Sequence, residues 1–297
     1  MSNTLREFSN DLSAAVEKGG ASTILVDARK RYPASGIAYA EDLVLTADHV
    51  VTKEDIKVGL SDGKTLSATV AGRDPGSDLA LLKLAEKALS PAKTSDDLKI
   101  GQLVLALGRP NNAGMQASWG IVTAISGPTR TFRGGLLDEY IQTETTPYPG
   151  FSGGPLVNTE GEVLGLNTSG LTRGSSLTIP VKVAWRIAEA LAKHGSVKRG
   201  YLGVRTQPVE IPEAARKALQ REQGHGLLVL WLDEGGPAEK GGLLVGDILV
   251  AISGQPVGDP DDLFAALNSE TVGKAIAVEV LRGGRPESVN VTVGERK

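Results

Sequence analysis

The sequence predicts a mainly β protein with two domains. Short apolar runs recur along the chain and are separated by turn signals such as Ser61-Asp62-Gly63. Strands at this spacing are typical of barrels and sandwiches rather than of alternating β-α-β units. The 37 glycines indicate many turns, and the 297 residues favour two domains, because one domain usually takes roughly 150 residues.

The N-terminal residues 3–18 are predicted to form an amphipathic helix. The apolar residues that recur at helical spacing are Leu5, Phe8, Leu12 and Val16. Gly19-Gly20 is expected to end this helix. Such a helix either packs on its own domain or forms a contact between subunits, and the sequence leaves both open.

Two sets of strands are predicted after this helix. The first set is 22–28, 35–40, 43–51, 56–60, 66–73 and 79–84. The second set is 103–107, 114–125, 140–143, 154–158, 163–168 and 176–180. A helix over 181–194 follows, and His194 with Gly195 fits its C-terminus, where a cation and a glycine are favoured.

The pattern changes beyond a short polar linker at 195–200. A helical stretch is predicted around 212–220 and a strand over 226–233. Asp259 as N-cap and Pro260 at the first helical position start a helix that extends to residue 268. A hairpin of 275–281 and 288–293 is predicted around Arg282-Gly283-Gly284-Arg285.

The composition argues against several partners and cofactors. A net charge of −3 gives no electrostatic case for nucleic acid or for an anionic membrane. The chain has no cysteine, and no cluster of His, Asp and Glu has metal-ligand spacing, so no metal and no cofactor is implied. The N-terminus lacks the basic and apolar regions of a signal peptide. We therefore expect a cytoplasmic protein, with a periplasmic or other extracytoplasmic location as the alternative if a leader has been removed.

The segment Tyr148-Pro149-Gly150-Phe151-Ser152-Gly153-Gly154-Pro155-Leu156 is the candidate nucleophile loop. A serine hydroxyl needs a base and a site for the developing oxyanion. The backbone N–H groups of Gly150 and Ser152 are the natural pair of donors for that site. Taken alone, the segment also fits an ordinary loop, because Gly, Pro and Ser are common in turns.

The candidate general base is His49, since histidine most often has this role. Of the three histidines, His194 fits a helix end and His225 is expected in an exposed loop, whereas His49 lies in the strand-like run 43–51. Asp78, where a polar turn meets an apolar strand, is the candidate carboxylate that orients the imidazole. Asp48 would point to the opposite face of the strand.

The loop also matches G-x-S-x-G, the nucleophile motif of α/β-hydrolases. That motif requires a helix directly after the serine and then an acid and a histidine downstream. Gly-Gly-Pro follows Ser152 instead, and no aspartate lies between Ser152 and His194. The order His49, Asp78, Ser152 is that of chymotrypsin.

The segments 45–51, 74–80 and 150–158 resemble those of the HtrA/DegP-like trypsin-fold serine proteases. The resemblance implies two six-stranded trypsin-like β-barrels with a C-terminal PDZ domain. It implies an N-terminal helical segment over 1–20, a protease domain over 21–195 and a PDZ domain over 200–297. One residue departs from the pattern: the family usually has Asn before the nucleophile, where this chain has Phe151.

The segment 236–254 resembles a PDZ domain of the bacterial protease type. In such domains a peptide C-terminus adds to an open strand edge, and backbone N–H groups capture its carboxylate. Tyr201, Leu202, Gly203 and Val204 match the family's carboxylate-binding loop. Leu263 and Leu267 on the 260–268 helix are either contacts in the peptide groove or simply core residues.

The resemblance implies a serine endopeptidase that cleaves unfolded or exposed polypeptides, binds peptide C-termini and forms a homo-oligomer, which the family resemblance makes a trimer. By resemblance the walls of the specificity pocket are Pro147 and the segment Ser169-Gly170-Leu171, which are all uncharged, so we expect cleavage after small or medium apolar residues. Glu144 is the nearby carboxylate that could alter this preference. The alternative function, for which Phe151 argues, is a non-cleaving PDZ scaffold or holdase on an inactive protease fold.

Overall fold

The computed structural model contains two compact units, Met1–Val197 and Lys198–Lys297. It describes residues 3–111, 114–131, 135–171, 176–197, 200–219, 221–267 and 271–295. None of the helices among these residues is long and apolar enough to span a bilayer.

The first unit begins with helix α1 (Thr4–Ala21). Gly19 and Gly20 lie inside its last turn, so the prediction that they end the helix is wrong. The reason is close packing: a Cβ at Gly19 would lie 2.8 Å from Leu107 Cδ1. The C-terminal half of α1 packs on the domain core, whereas Leu5 near its start is 83% exposed.

The first unit contains two closed six-stranded barrels, which confirms the predicted fold class. The first barrel consists of β1 (Thr23–Asp27), β2 (Ala34–Ala40), β3 (Leu43–Ala47), β4 (Ile56–Gly59), β5 (Thr65–Asp74) and β6 (Leu79–Leu84). Its strand order is β1-β2-β3-β6-β5-β4, and every pair is antiparallel. This closure leaves no free strand edge.

The second barrel follows with a short hairpin inserted in it. The chain forms β7 (Leu103–Asn111), β8 (Gly114–Ser126), the hairpin β9 (Thr129–Arg130) and β10 (Leu136–Leu137), then β11 (Tyr140–Thr143), β12 (Pro155–Val157), β13 (Val163–Thr168) and β14 (Leu177–Pro180). The barrel order is β11-β14-β13-β12-β7-β8. The predictions did not include the hairpin, whose two-residue strands carry almost no sequence pattern.

A shared core joins the two barrels. Ile37 and Leu79 of the first barrel belong to the same buried cluster as Leu107 and Ile179 of the second. Helix α2 (Val181–His194) adds Leu191 to this cluster and ends at Gly195, which is left-handed (φ 73°). The helix bounds agree with the sequence prediction. The junction of the barrels is therefore rigid, and the candidate site lies there.

The second unit is a small β domain with its own core. Its elements are β15 (Gly200–Tyr201), β16 (Val204–Glu210), α3 (Glu213–Leu219), β17 (His225–Leu232), α4 (Pro237–Lys240), β18 (Ile248–Ile252), β19 (Gln255–Pro256), α5 (Pro260–Ala266), β20 (Ala275–Arg282), β21 (Arg285–Thr292) and β22 (Gly294–Glu295). The main sheet has the order β16-β17-β18-β20-β21. As predicted, Asp259 caps α5, and its carboxylate accepts hydrogen bonds from Asp261 N and Asp262 N.

Candidate active site

His49 lies on a single 3-10 turn and not on a strand. Strand β3 ends at Ala47, and the turn spans Asp48–Val50, so the predicted strand to Val51 is too long. The Arg73 guanidinium holds the turn through Asp48 Oδ1 at 2.6 Å and Val51 O at 3.0 Å. The predicted orientation of Asp48 away from the imidazole agrees with this pairing, because its buried carboxylate serves Arg73.

Asp78 and His49 form a tightly bonded pair. Asp78 Oδ2 accepts from His49 Nδ1 at 2.8 Å, and Oδ1 accepts from the backbone N–H of His49 at 2.9 Å. The aspartate is fully buried and has a positive φ of 57°, an unusual backbone conformation for a residue other than glycine. The carboxylate fixes the ring with Nδ1–H as donor, which leaves Nε2 able to accept a proton.

The nucleophile loop presents Ser152 on a tight glycine turn. Gly150 and Gly153 have φ of 93° and 86°, which glycine adopts without steric cost. Ser35 of the first barrel ties the loop down: its Oγ donates to Gly150 O at 2.7 Å, and its N–H donates to Ser152 O at 3.1 Å. Both carbonyl groups are therefore fixed by a buried residue of the other barrel.

The hydroxyl of Ser152 lies beside Ser169. The two Oγ atoms are 3.2 Å apart, and within the described part of the chain Ser152 Oγ makes no hydrogen bond to His49. The segment 168–170 nevertheless links Ser152 to the Asp78–His49 pair. Ser169 contacts Ser152, Thr168 Oγ1 donates to Asp78 Oδ2, and a Cβ at Gly170 would lie 2.6 Å from His49 Nδ1. The hydrogen bond between a catalytic serine and its histidine is often long or misaligned in the free enzyme and tightens only with substrate bound.

The N–H groups of Gly150 and Ser152 are available as donors. Neither has an acceptor among the residues that the structure describes. Both residues line a cavity of about 170 Å³. Two free backbone N–H groups beside a serine hydroxyl can stabilise an oxyanion.

The wall of this cavity is mainly uncharged. Arg29 is the one charged side chain among its described lining residues, and the hydroxyl and amide groups come from Thr143, Thr145, Asn167, Ser169, Ser176 and Thr178. Several of these groups pair with each other, for example Thr178 Oγ1 with Asn167 Oδ1 at 2.6 Å. The buried Asn167 Nδ2 has no acceptor among the described residues.

The residues predicted for the specificity pocket are not all together. Pro147 and Ser169 line the cavity. Gly170 instead packs against the Asp78–His49 pair, and Leu171 is buried in the core that the barrels share. Glu144 is exposed and is absent from the described lining. Sequence proximity misplaced Gly170 and Leu171 because the segment turns toward the first barrel.

The predicted carboxylate-binding loop lies between β15 and β16. Leu202 is buried, and Gly203 has a positive φ of 78°. Leu202 O and Gly203 O accept from Ala238 N and Asp233 N, whereas the N–H groups of both residues lack an acceptor within the described ranges. Leu263 and Leu267 are 6% and 8% exposed and belong to the core of this unit.

Sequence reasoning missed Ser35 and Thr168. Ser35 and Thr168 are hydroxyl residues at strand positions that nothing in the sequence distinguishes from other buried Ser and Thr. Only the closure of the two barrels brings Thr168 to Asp78 and Ser35 to Gly150. Among the described residues no group of three or more His, Asp or Glu side chains could hold a metal ion.

The fold and the site together define a chymotrypsin-like serine protease architecture followed by a second small domain. Family models agree: a trypsin-like peptidase domain matches residues 34–166, and a PDZ domain matches residues 200–293. Solved structures agree too. An HtrA-type protease AlgW with a tripeptide is 30% identical with a TM-score of 0.79, and the match covers 96% of this chain and 97% of that one. The serine endoprotease from Yersinia pestis is 28% identical with a TM-score of 0.78, over 96% of this chain and 98% of that one.

The chain belongs to the HtrA/DegP-like serine proteases. A probable periplasmic serine endoprotease DegP-like of Halomonas elongata is 38% identical over 276 residues, which is 90% of this chain and 57% of the relative. The corresponding protein of Ectopseudomonas mendocina is 40% identical over 266 residues, which is 87% of this chain and 55% of the relative. The chain thus spans about half the length of the curated relatives it matches.

The prediction of a cytoplasmic location is wrong. The curated relatives are named periplasmic endoproteases. That prediction relied on the absence of a signal-like segment, and such an absence does not determine the compartment.

Proposed function

We propose that this chain is a serine endopeptidase of polypeptides. The observation that carries the proposal is the buried Asp78–His49 pair, with Nε2 free to accept, beside Ser152 on a loop with two unpaired N–H groups. His49 takes the proton of Ser152 as the hydroxyl attacks the scissile carbonyl. Gly150 N–H and Ser152 N–H stabilise the oxyanion, and water then hydrolyses the acyl-enzyme.

The serine must reorient before it attacks. Its hydroxyl is 3.2 Å from Ser169 Oγ in the structure, and attack requires a hydrogen bond to His49 Nε2 instead. A rotation of χ1 by one staggered position is a small change for a half-buried serine. A substrate that occupies the cavity beside Ser169 favours this rotation by displacing the hydroxyl.

A fluorophosphonate probe tests the activity. Labelling of the wild type and loss of labelling in Ser152→Ala support the proposal, and no labelling of either protein contradicts it.

His49→Ala and Ser152→Ala should each abolish nearly all hydrolysis, and the double variant should be no worse, because such residues act as a unit. Asp78→Asn should lower kcat by roughly 10⁴-fold, which is the loss found for the equivalent aspartate-to-asparagine change in a chymotrypsin-like protease.

The non-cleaving scaffold is the weaker candidate. Its supporting feature was Phe151, whose side chain is buried in the core of the second barrel. The relatives are named endoproteases. Binding of unfolded protein by the wild type without any cleavage of it would restore this alternative.

We infer cleavage after small or medium uncharged residues such as Val, Ala or Leu. A lysine or arginine would lose hydration without meeting a carboxylate among the described lining residues, and Arg29 would repel it. Burial of an aliphatic side chain gains about 1.5–3 kcal/mol. Cut sites on unfolded casein, mapped by mass spectrometry, measure this preference; a majority of cuts after Lys or Arg would contradict it.

The second unit is proposed to bind peptide C-termini. The unpaired N–H groups of Leu202 and Gly203 support this proposal, because backbone N–H groups capture the terminal carboxylate in this mode of recognition.

A homo-oligomer is also proposed, with three subunits expected from the resemblance. Leu5 and Phe8 of α1 are 83% and 44% exposed, and sedimentation equilibrium measures the subunit number.

A further inference from the structure

Phe151, next to the nucleophile, is a buried core residue. Its side chain is 2% exposed and belongs to the core of the second barrel with Val104, Ala106, Val122, Ile141, Leu156 and Leu164. The edge of the Tyr148 ring meets it at 5.4 Å between centroids. The residue at which the sequence departs from its family therefore anchors the loop in apolar surroundings.

Gly108 on β7 makes room for this ring. A Cβ at Gly108 would lie 2.8 Å from Phe151 Cε1 and closer still to Cδ1. The φ of Gly108 is not positive, so its backbone conformation is available to alanine. Space for the Phe151 ring, and not backbone conformation, is what requires a glycine here.

The backbone on both sides of Phe151 is fixed by hydrogen bonds. Phe151 N–H donates to Tyr148 O at 3.0 Å, and Phe151 O accepts from Gly154 N at 2.8 Å. Ser35 Oγ holds Gly150 O. The Phe151 Cα joins its ring directly to the peptide group that carries the Ser152 N–H donor, and Gly150 separates it from the peptide group that carries the other donor.

We propose that Phe151 is a positioning residue that aligns the oxyanion donors by filling the space over Gly108. The inference rests on the proposed peptidase function of the same site. Preorganised donors stabilise the transition state only if they already point at the developing charge. In this chain the alignment comes from close packing in the barrel core, without a hydrogen-bonding side chain at position 151.

Gly108→Ala tests the proposal from outside the loop. The new methyl group displaces the ring, while His49, Asp78 and Ser152 stay intact. We expect kcat to fall roughly 100-fold, which is the low end of the loss for removal of one oxyanion donor. KM should stay within about twofold of the wild-type value. Adding Phe151→Leu to Gly108→Ala should restore at least about tenfold of kcat, because the smaller side chain makes room. Gly20→Ala is the control, since its Cβ would make only ordinary contact with Met115 at 3.4 Å.

Hydrogen exchange gives a readout that does not require activity. In the Ser152→Ala background, Gly108→Ala and Phe151→Leu should each speed exchange of the amides of Phe151, Gly153 and Gly154, which are hydrogen-bonded in the structure. Exchange over β11 and β14 should stay unchanged, which shows that the barrel is folded. If these variants exchange faster but the wild type shows no hydrolysis, the peptidase function is rejected and the role of Phe151 in positioning the loop is kept. Unchanged exchange, or an unchanged kcat in an active Gly108→Ala variant, overturns the positioning role.

Discussion

Thr168 supports the Asp78 carboxylate from the second barrel. Its Oγ1 donates a hydrogen bond to Asp78 Oδ2. Thr168 Oγ1 also accepts a hydrogen bond from Gly170 N at 3.0 Å. Asp78 is completely buried, so each hydrogen bond to it replaces water that the carboxylate lost on folding. Thr168 thereby holds in place the carboxylate that orients and stabilises the His49 imidazolium.

Removal of this hydroxyl should slow the proposed reaction. Thr168→Val keeps the side-chain shape and leaves the buried carboxylate one donor short, at a cost of about 2 kcal/mol. That cost corresponds to a loss of roughly 30-fold in kcat/KM on a peptide substrate. Thr168→Ser retains the hydroxyl and is the control that should stay within about threefold of the wild type. Equal rates for Val and Ser would show that Asp78 does not need this donor.

At the scale of elements, the Asp247–Arg282 pair fastens two strands of the second unit. Asp247, just before β18, accepts from Arg282 Nε at 2.9 Å and Nη2 at 2.7 Å, and from Leu244 N at 2.8 Å. Burial would raise the pKa of Asp247, but the hydrogen bonds from Arg282 and Leu244 outweigh it and hold that pKa below the usual value.

This depressed pKa predicts a loss of stability in acid. A carboxyl whose pKa is lower in the folded state stabilises the fold fully above its unfolded value of about 3.9, and the contribution disappears as the pH falls through the folded pKa. Hydrogen-exchange protection of the segment 244–252 should therefore decrease below about pH 4.

Asp247→Asn isolates this contribution. The variant should lose about 1–3 kcal/mol of protection at neutral pH, because Arg282 loses one of its two charged partners and keeps only Glu287, and its protection should depend less on pH. Glu234→Gln, at an exposed carboxyl, is the matched control and should behave like the wild type. A wild-type pH dependence in Asp247→Asn would assign the acid sensitivity to another group.

At the scale of the whole molecule, the second unit has what an independent domain needs. Its core of Leu227, Val229, Leu249, Val278 and Val280 is formed by its own strands, and the unit boundary falls at Val197 and Lys198. A fragment of residues 198–297 has a usual domain size. It should therefore fold alone, with a cooperative thermal transition that circular dichroism can measure.

The same fragment should discriminate between peptide termini. It should bind a peptide that has a free carboxylate and an apolar last residue, through the N–H groups of Leu202 and Gly203. Amidation of the peptide removes the charge-assisted hydrogen bonds, each worth about 1.5–3 kcal/mol, and should weaken binding at least about tenfold in calorimetry. Equal affinity for the acid and the amide would reject the carboxylate-loop assignment.

The sequence by itself determined the order of the strands along the chain, helix α2 and the capped start of α5. These depend on local signals: short apolar runs between turns, a left-handed glycine after a helix, and an Asp-Pro pair before one. It also selected His49, Asp78 and Ser152, because few residues could act as base, acid and nucleophile in that order.

Only the tertiary structure decided which side chains surround these three residues. Thr168, Ser35 and Gly108 reach the site through barrel closure, and their partners lie 90, 115 and 43 residues away in the chain. The structure also turned Gly170 and Leu171 away from the cavity and placed Phe151 in a core. Local patterns record how a residue suits its own element, whereas contacts across two barrels depend on register and packing, which no short stretch of sequence specifies.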